Sequence, residues 1–282
     1  VLFGGQGGQV DPSERLNDTW TFDGSDWQEV TVPAAPPARA SAALASYGYA
    51  LLLFGGGEVD SFVNDTWTFD GSTWTQVMVP APPPVRFGAG MASLDGSDVI
   101  LFGGASSGDL NDTWMYSLPG LWDEVSPSAA SPSSREFPAF ATLGVWVLFG
   151  GLGDGTLDDT WTFDAGTWTE LTVATPPPAR WGAAMAASGN DLVLFGGTDG
   201  GMLGDTWAFD GASWTELLPA TSPSARAYAS IATLNGQVVL FGGRGANGDM
   251  GDTWVFSGSQ WTQVSTAHAP SAREGASMAF LP

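Results

Sequence analysis

The chain has 282 residues, a formal net charge of −22, no Cys and no Lys, so its eight basic residues are all Arg. These totals exclude disulfides, thiolate metal sites and thiol nucleophiles. They also argue against nucleic acid and anionic membranes as partners, since both need basic patches, and no run of about 18 apolar residues is present to insert in a membrane as a helix.

Val1 already lies inside a repeated unit, so trimming or flanking chain is expected. The unit is marked by an Asp-Thr-Trp triplet whose Asp falls at Asp18, Asp65, Asp112, Asp159, Asp205 and Asp252, at spacings of 47, 47, 47, 46 and 47. A period that steady means one supersecondary unit copied six times, and it leaves no length for a second domain.

The unit beginning at Arg39 serves as the template, with four short runs of strand character separated by turn residues. The first, 41–46, is rich in Ala, Ser and Leu; its counterparts are 88–93, 138–143, 182–187, 229–233 and 275–280. Poor strand formers recurring in one strand point to crowding, which places this strand innermost, where only small side chains are expected. The second run, 51–54, is continuously apolar, as in a strand covered on both faces. It ends in Gly55-Gly56, matched by Gly4-Gly5, Gly103-Gly104, Gly150-Gly151, Gly196-Gly197 and Gly242-Gly243. Paired glycines there suggest positive φ or a backbone approach too close for a Cβ.

The third run carries Asp65, Trp67 and Phe69 at a period of two. The fourth opens with Trp27, Trp74, Trp122, Trp168, Trp214 or Trp261 and continues in Thr, Gln and Glu, as a partly wet outer strand would. Twelve of the 14 Trp belong to this template, so they read as core. Pro-rich connectors at 33–39, 80–86, 127–135, 174–180, 219–226 and 266–273 are long enough in polyproline II to run from an outer strand to the next inner one.

The first unit lacks its inner strand, and residues 273–281 supply one at the other end. Pairing the two closes a ring and removes open edges. The expected architecture is a single all-β, six-bladed propeller of four-stranded antiparallel blades: 1–32 plus 273–282, 39–79, 86–125, 135–173, 180–218 and 226–265. The glycine doublet, the aromatic in the third strand, the Trp in the fourth and the unit length resemble the kelch repeat over essentially the whole chain. The sequence departs from that pattern in using Trp and Phe where the family commonly has Tyr.

In such blades the connectors and the loops between second and third strands share one face. That face carries Arg39, Arg86, Arg135, Arg180, Arg226 and Arg273, one per blade. They are open to two readings: a cationic ring at the channel mouth, suited to carboxylate or phosphate, or architectural residues paired with a template Asp. In kelch domains that bind acidic peptides, arginines at the matching position contact the ligand, which is what the resemblance implies for the ring. Specificity is better sought where the repeat is broken. Phe87, Glu136 with Phe137, Trp181, Tyr228 and Glu274 would decorate the same mouth, as a polar-ligand pocket or as filling for an irregular entrance.

The loops after the glycine doublets vary most, reaching twelve residues at 6–17, and hold Glu14, Arg15, Glu58, Asp60, Asp109, Asp154, Asp158, Asp199, Arg244 and Asp249. None has calcium-loop spacing, and no metal, cofactor or catalytic residue is assigned. The single His, His268, lies in a connector and is expected to be exposed. Copper-radical oxidases on related repeats need a Cys-linked Tyr, and iron-dependent specifier proteins a Glu/Asp/His cluster; neither is found. The leading expectation is a non-enzymatic, exported binding module (extracellular or periplasmic), taking a protein or a small anionic or carbohydrate ligand at the mouth. The alternatives are a cofactor-free carbohydrate isomerase like the sialic-acid mutarotases, with Glu136, Glu274, Tyr228 and the arginines as its polar working groups, and a structural unit of a larger surface assembly.

Overall fold

The computed structural model describes residues 1–7, 14–126 and 130–282. Among them all regular elements are strands. Six antiparallel four-stranded sheets form the blades. In the second blade, Ala43–Tyr47, Ala50–Phe54, Thr66–Phe69 and Trp74–Val77 run from the axis outward. The innermost strands of neighbouring blades touch around a complete circuit. Closure follows the expected route: Ser277–Met278 pairs with Leu2–Gln6, Leu2 opposite Met278 and Phe3 opposite Ser277, and the Val1 amine donates to the Ala279 carbonyl at 2.8 Å.

The Asp-Thr-Trp triplet holds one joint per residue. Asp65 accepts from the guanidinium of Arg39 and, through Oδ2, from the indole N–H of Trp67 at 2.6 Å. The next residue, Thr66, is 1% exposed, and a buried hydroxyl needs a partner. It accepts from the indole N–H of Trp122 in the following blade at 3.1 Å. The same Trp-to-Thr bond joins every adjacent pair of blades, ending with Trp27 to Thr253 at 2.9 Å across the seam. Each of these indoles also packs on the second-strand Phe of the preceding blade, as Trp122 does on Phe54 with ring centroids 5.2 Å apart.

The glycine doublets meet both of the expected demands. Gly55 has φ +66°, and a Cβ there would lie 2.8 Å from the carbonyl oxygen of Arg86 in the next blade. The Gly56 N–H donates to that same carbonyl at 2.8 Å. The doublet is a backbone seam between blades.

Two expectations need correction. In the inner strand the small residues are the buried ones packed between blades: Ala43 and Ala45 share a cluster with Leu101 and Met91 of the next blade. The positions that line the channel are not restricted to small side chains, and Phe140 and Met185 stand there. Crowding therefore acts at the blade contacts, not on the axis. In addition, the segment 6–17 is not all loop. The third strand of the first blade begins at Arg15 and pairs past the glycine doublet, Gln6 opposite Arg15, as Thr156–Asp164 does in the fourth blade. The remainder of that loop at 8–13, and the start of the connector 127–135, lie outside the described residues.

Candidate functional site

The six repeated arginines are inside the wall. Arg39, Arg86, Arg135, Arg180, Arg226 and Arg273 are each 0–1% exposed. Arg86 is representative: it makes a two-pronged pair with Asp112, Nη1 to Oδ1 and Nη2 to Oδ2 both at 2.6 Å, and donates to the Gly103 and Pro84 carbonyls. The other five repeat this pattern with Asp65, Asp159, Asp205, Asp252 and Asp18. Their charge is neutralised and their donors are occupied, so they form no cationic ring at the mouth. Of the two readings the sequence left open, the geometry matches the architectural one.

Two residues beyond each arginine the chain makes a belt around the axis. Ser41 donates from its backbone N–H to the carbonyl of Gly275, Gly88 to Ser41, Phe137 to Gly88, Gly182 to Phe137, Tyr228 to Gly182 and Gly275 to Tyr228, all at 2.7–3.0 Å. The belt holds all six residues at φ between +50° and +64°. Three blades meet that demand with Gly. The others use Ser41, Phe137 and Tyr228, and a bulky side chain at such φ costs on the order of 1–3 kcal/mol. The strain places two aromatic rings over the throat: Phe137 lies on Gly88 and Tyr228 on Gly182, where any Cβ would collide with them.

Above the belt sits a cavity of about 400 Å³ whose lining includes Phe62, Phe87, Phe137, Tyr228, Gln6, Arg15 and Glu274. One wall is aromatic. Phe62 stacks on Phe87 at 4.5 Å, Phe87 meets Phe137 edge-on at 5.7 Å, and Phe137 meets Tyr228 at 4.9 Å. The Trp181 indole donates to the Tyr228 hydroxyl at 2.9 Å, holding that ring in place. The opposite wall, from the sixth and first blades, is ionic. Arg244 reaches Glu274 at 3.1 Å, and Arg15 donates to the side-chain carbonyl of Gln6.

The family model of the KLHDC2/KLHL20/DRC7 Kelch-repeats domain matches residues 1–151 and again residues 145–281. The chain belongs to the kelch-repeat family. No curated protein matches it significantly. Kelch propellers are typically protein-interaction modules.

In this kelch propeller the titratable groups at the mouth differ in kind from those in the wall. Burial pushes the wall carboxyls Asp65, Asp112, Asp205 and Asp252 upward, but the arginine and indole hydrogen bonds and the arginine charge outweigh it and hold them below the usual range. At the mouth the balance reverses. Burial raises Glu274 despite Arg244, and burial with the nearby Asp109 raises Glu136, whose Oε2 is buried without a partner. Tyr228 is raised by burial and by both glutamates.

Phe87, Trp181, Tyr228 and Glu274 thus meet at one kelch mouth, with Glu136 close enough to Tyr228 to influence its titration. The sequence pattern already put Phe137 at the mouth beside Glu136, noted Arg15 and Arg244 only as loop residues, and gave no sign of Phe62. The usable signal was subtraction: once six arginines are assigned to the repeat, two remain.

Proposed function

We propose that this kelch propeller is a binding module that takes an anionic or polar group of a protein or small-molecule partner at its mouth, against the aromatic wall. The observation that carries this reading is the placement of Arg15 and Arg244. The chain has no Lys and its other six arginines are buried in ion pairs, so on a molecule of net charge −22 the two remaining arginines both stand beside the mouth cavity. The strained backbone at Phe137 and Tyr228 supports the same place, because strain persists where something beyond packing is gained. An exported location goes with the reading and rests on the lack of Cys and Lys.

The test is selection of peptides from a displayed random library against the intact chain, followed by affinity measurements on variants. Arg15→Ala with Arg244→Ala, and separately Phe62→Ala with Phe87→Ala, should each weaken the selected peptides by about tenfold or more, equivalent to about 1.4 kcal/mol. Peptides that bind both variants as tightly as the parent would refute the mouth as the site. A second reading, a cofactor-free carbohydrate isomerase, is favoured by the two raised carboxyls beside Tyr228. It requires anomer exchange of acidic sugars by the parent chain and its loss in Glu274→Gln.

A further inference from the structure

A separate cavity of about 420 Å³ opens at the other end of the channel, where the hairpin turns Gly48 and Asp95-Gly96 ring its entrance. Its wall contains a girdle of six apolar side chains, Leu44, Met91, Phe140, Met185, Ile231 and Met278. Each is the fifth residue after the buried arginine of its blade, so the girdle is one register level of the inner strands. Ala follows at the next position in every blade, while the girdle level carries a large apolar side chain in all six.

Three of the hydroxyls near this level are already used, while the buried Ser93 hydroxyl has no partner. Ser46 donates to the Phe280 carbonyl, Thr142 to Ser93 and Thr233 to Ala187, at 2.5, 3.2 and 2.6 Å, each tying one inner strand to its neighbour. Asp95, at the entrance, is the only ionisable side chain among the described residues that line the space. Above the girdle lies a small space of about 140 Å³ walled mainly by Gly and Ala, and then the hydrogen-bonded belt beneath Phe137 and Tyr228. The two ends of the channel are therefore chemically distinct compartments. One is aromatic and ionic, the other apolar and without a cation.

From the girdle we infer a second ligand site, for a small neutral apolar molecule, independent of the mouth. The volume falls in the range of about 300–1,000 Å³ that small-molecule sites occupy. Thioether side chains shape themselves to irregular apolar guests, and three of the six girdle residues are Met on alternate blades. An anionic guest has no cation to meet in this compartment and Asp95 at its entrance, so neutrality is part of the assignment.

The test uses the intact chain labelled with ¹³C at its seven methionine methyl groups, assigned by single Met→Leu substitutions, which preserve volume. N-phenyl-1-naphthylamine, a neutral fluorescent probe, is titrated against it, and its anionic analogue 1-anilinonaphthalene-8-sulfonate in parallel. Saturable binding of the neutral probe should shift Met91, Met185 and Met278 and leave Met202 and Met250, in the mouth-side loops, unmoved. The sulfonate should bind about tenfold or more weakly, because burying an unpaired charge is costly. Shifts confined to Met202 and Met250, no saturable binding, or equal affinity for the two probes would overturn the inference.

Discussion

Arg86 shows how a residue with the chemistry of a ligand contact becomes a building element. Its fork matches a carboxylate, and Asp112 fills it before any ligand could. Truncation to Ala would strand that carboxylate, whose side chain is only 19% exposed. Breaking a buried pair from one side costs about 3–5 kcal/mol, and the remaining water access places Arg86→Ala near the lower figure. Urea denaturation checks this, and Arg86→Met with Asp112→Leu should recover part of the loss, since the Trp114 indole N–H then lacks its acceptor.

Glu136 makes the opposite case. Its carboxyl is raised by burial, so the folded state holds the proton more tightly than the unfolded chain, whose Glu titrates near about 4.3. Its contribution is then most favourable below that value and declines as pH rises through the folded pKa. Glu136→Gln should have the same melting temperature as the parent at pH 4 and a higher one at pH 7. The lowered wall aspartates have the reverse sign: their stabilisation is present above about 3.9 and is lost as acid brings the pH down through their folded values.

At the scale of the element, the glycine doublets and the inner strands decide how blades join. Gly196 has φ +66° and a Cβ there would lie 2.5 Å from the Arg226 carbonyl oxygen, whereas Gly166, at φ +80°, has open space around it. Left-handed backbone alone costs a side-chain residue about 1–2 kcal/mol. Gly166→Ala should cost about that, and Gly196→Ala at least about 2 kcal/mol more, since backbone of the next blade must move. Equal melting temperatures for the two variants would refute the seam.

The doublet itself was legible from spacing, because both of its demands are local. Its partner was not, because nothing in a linear pattern gives the register between blades. The belt was hidden for a related reason. Gly88, Gly182 and Gly275 alternate with Ser41, Phe137 and Tyr228, so the shared positive φ leaves no single-residue signature. The inner strand misled in a third way: its Ala residues record contact between blades, and the large girdle residues between them reach both those contacts and the channel.

For the whole molecule, six near-identical blades close into a ring whose two channel ends are lined by the residues that the repeat leaves free. The symmetry is broken at the mouth, where the second, third, fourth and sixth blades supply the rings of Phe62, Phe87, Phe137 and Tyr228, and the sixth and first also supply Arg244, Glu274 and Arg15. That asymmetry gives a ligand a direction to lie in, which a symmetric cationic ring would not. The fold was readable because each blade repeats its instructions. The site was only half readable because it consists of departures, and departures acquire meaning once the ring brings residues as distant as Arg15 and Tyr228 to one cavity.

Hydrogen–deuterium exchange on the propeller with and without a library-selected peptide tests the mouth assignment most directly. Bound peptide should protect the backbone around Gly57–Phe62, Phe87, Phe137, Tyr228 and Arg244, and leave the outer strands unchanged. Protection confined to the outer strands or to the hairpin turns at the far end of the channel would contradict it.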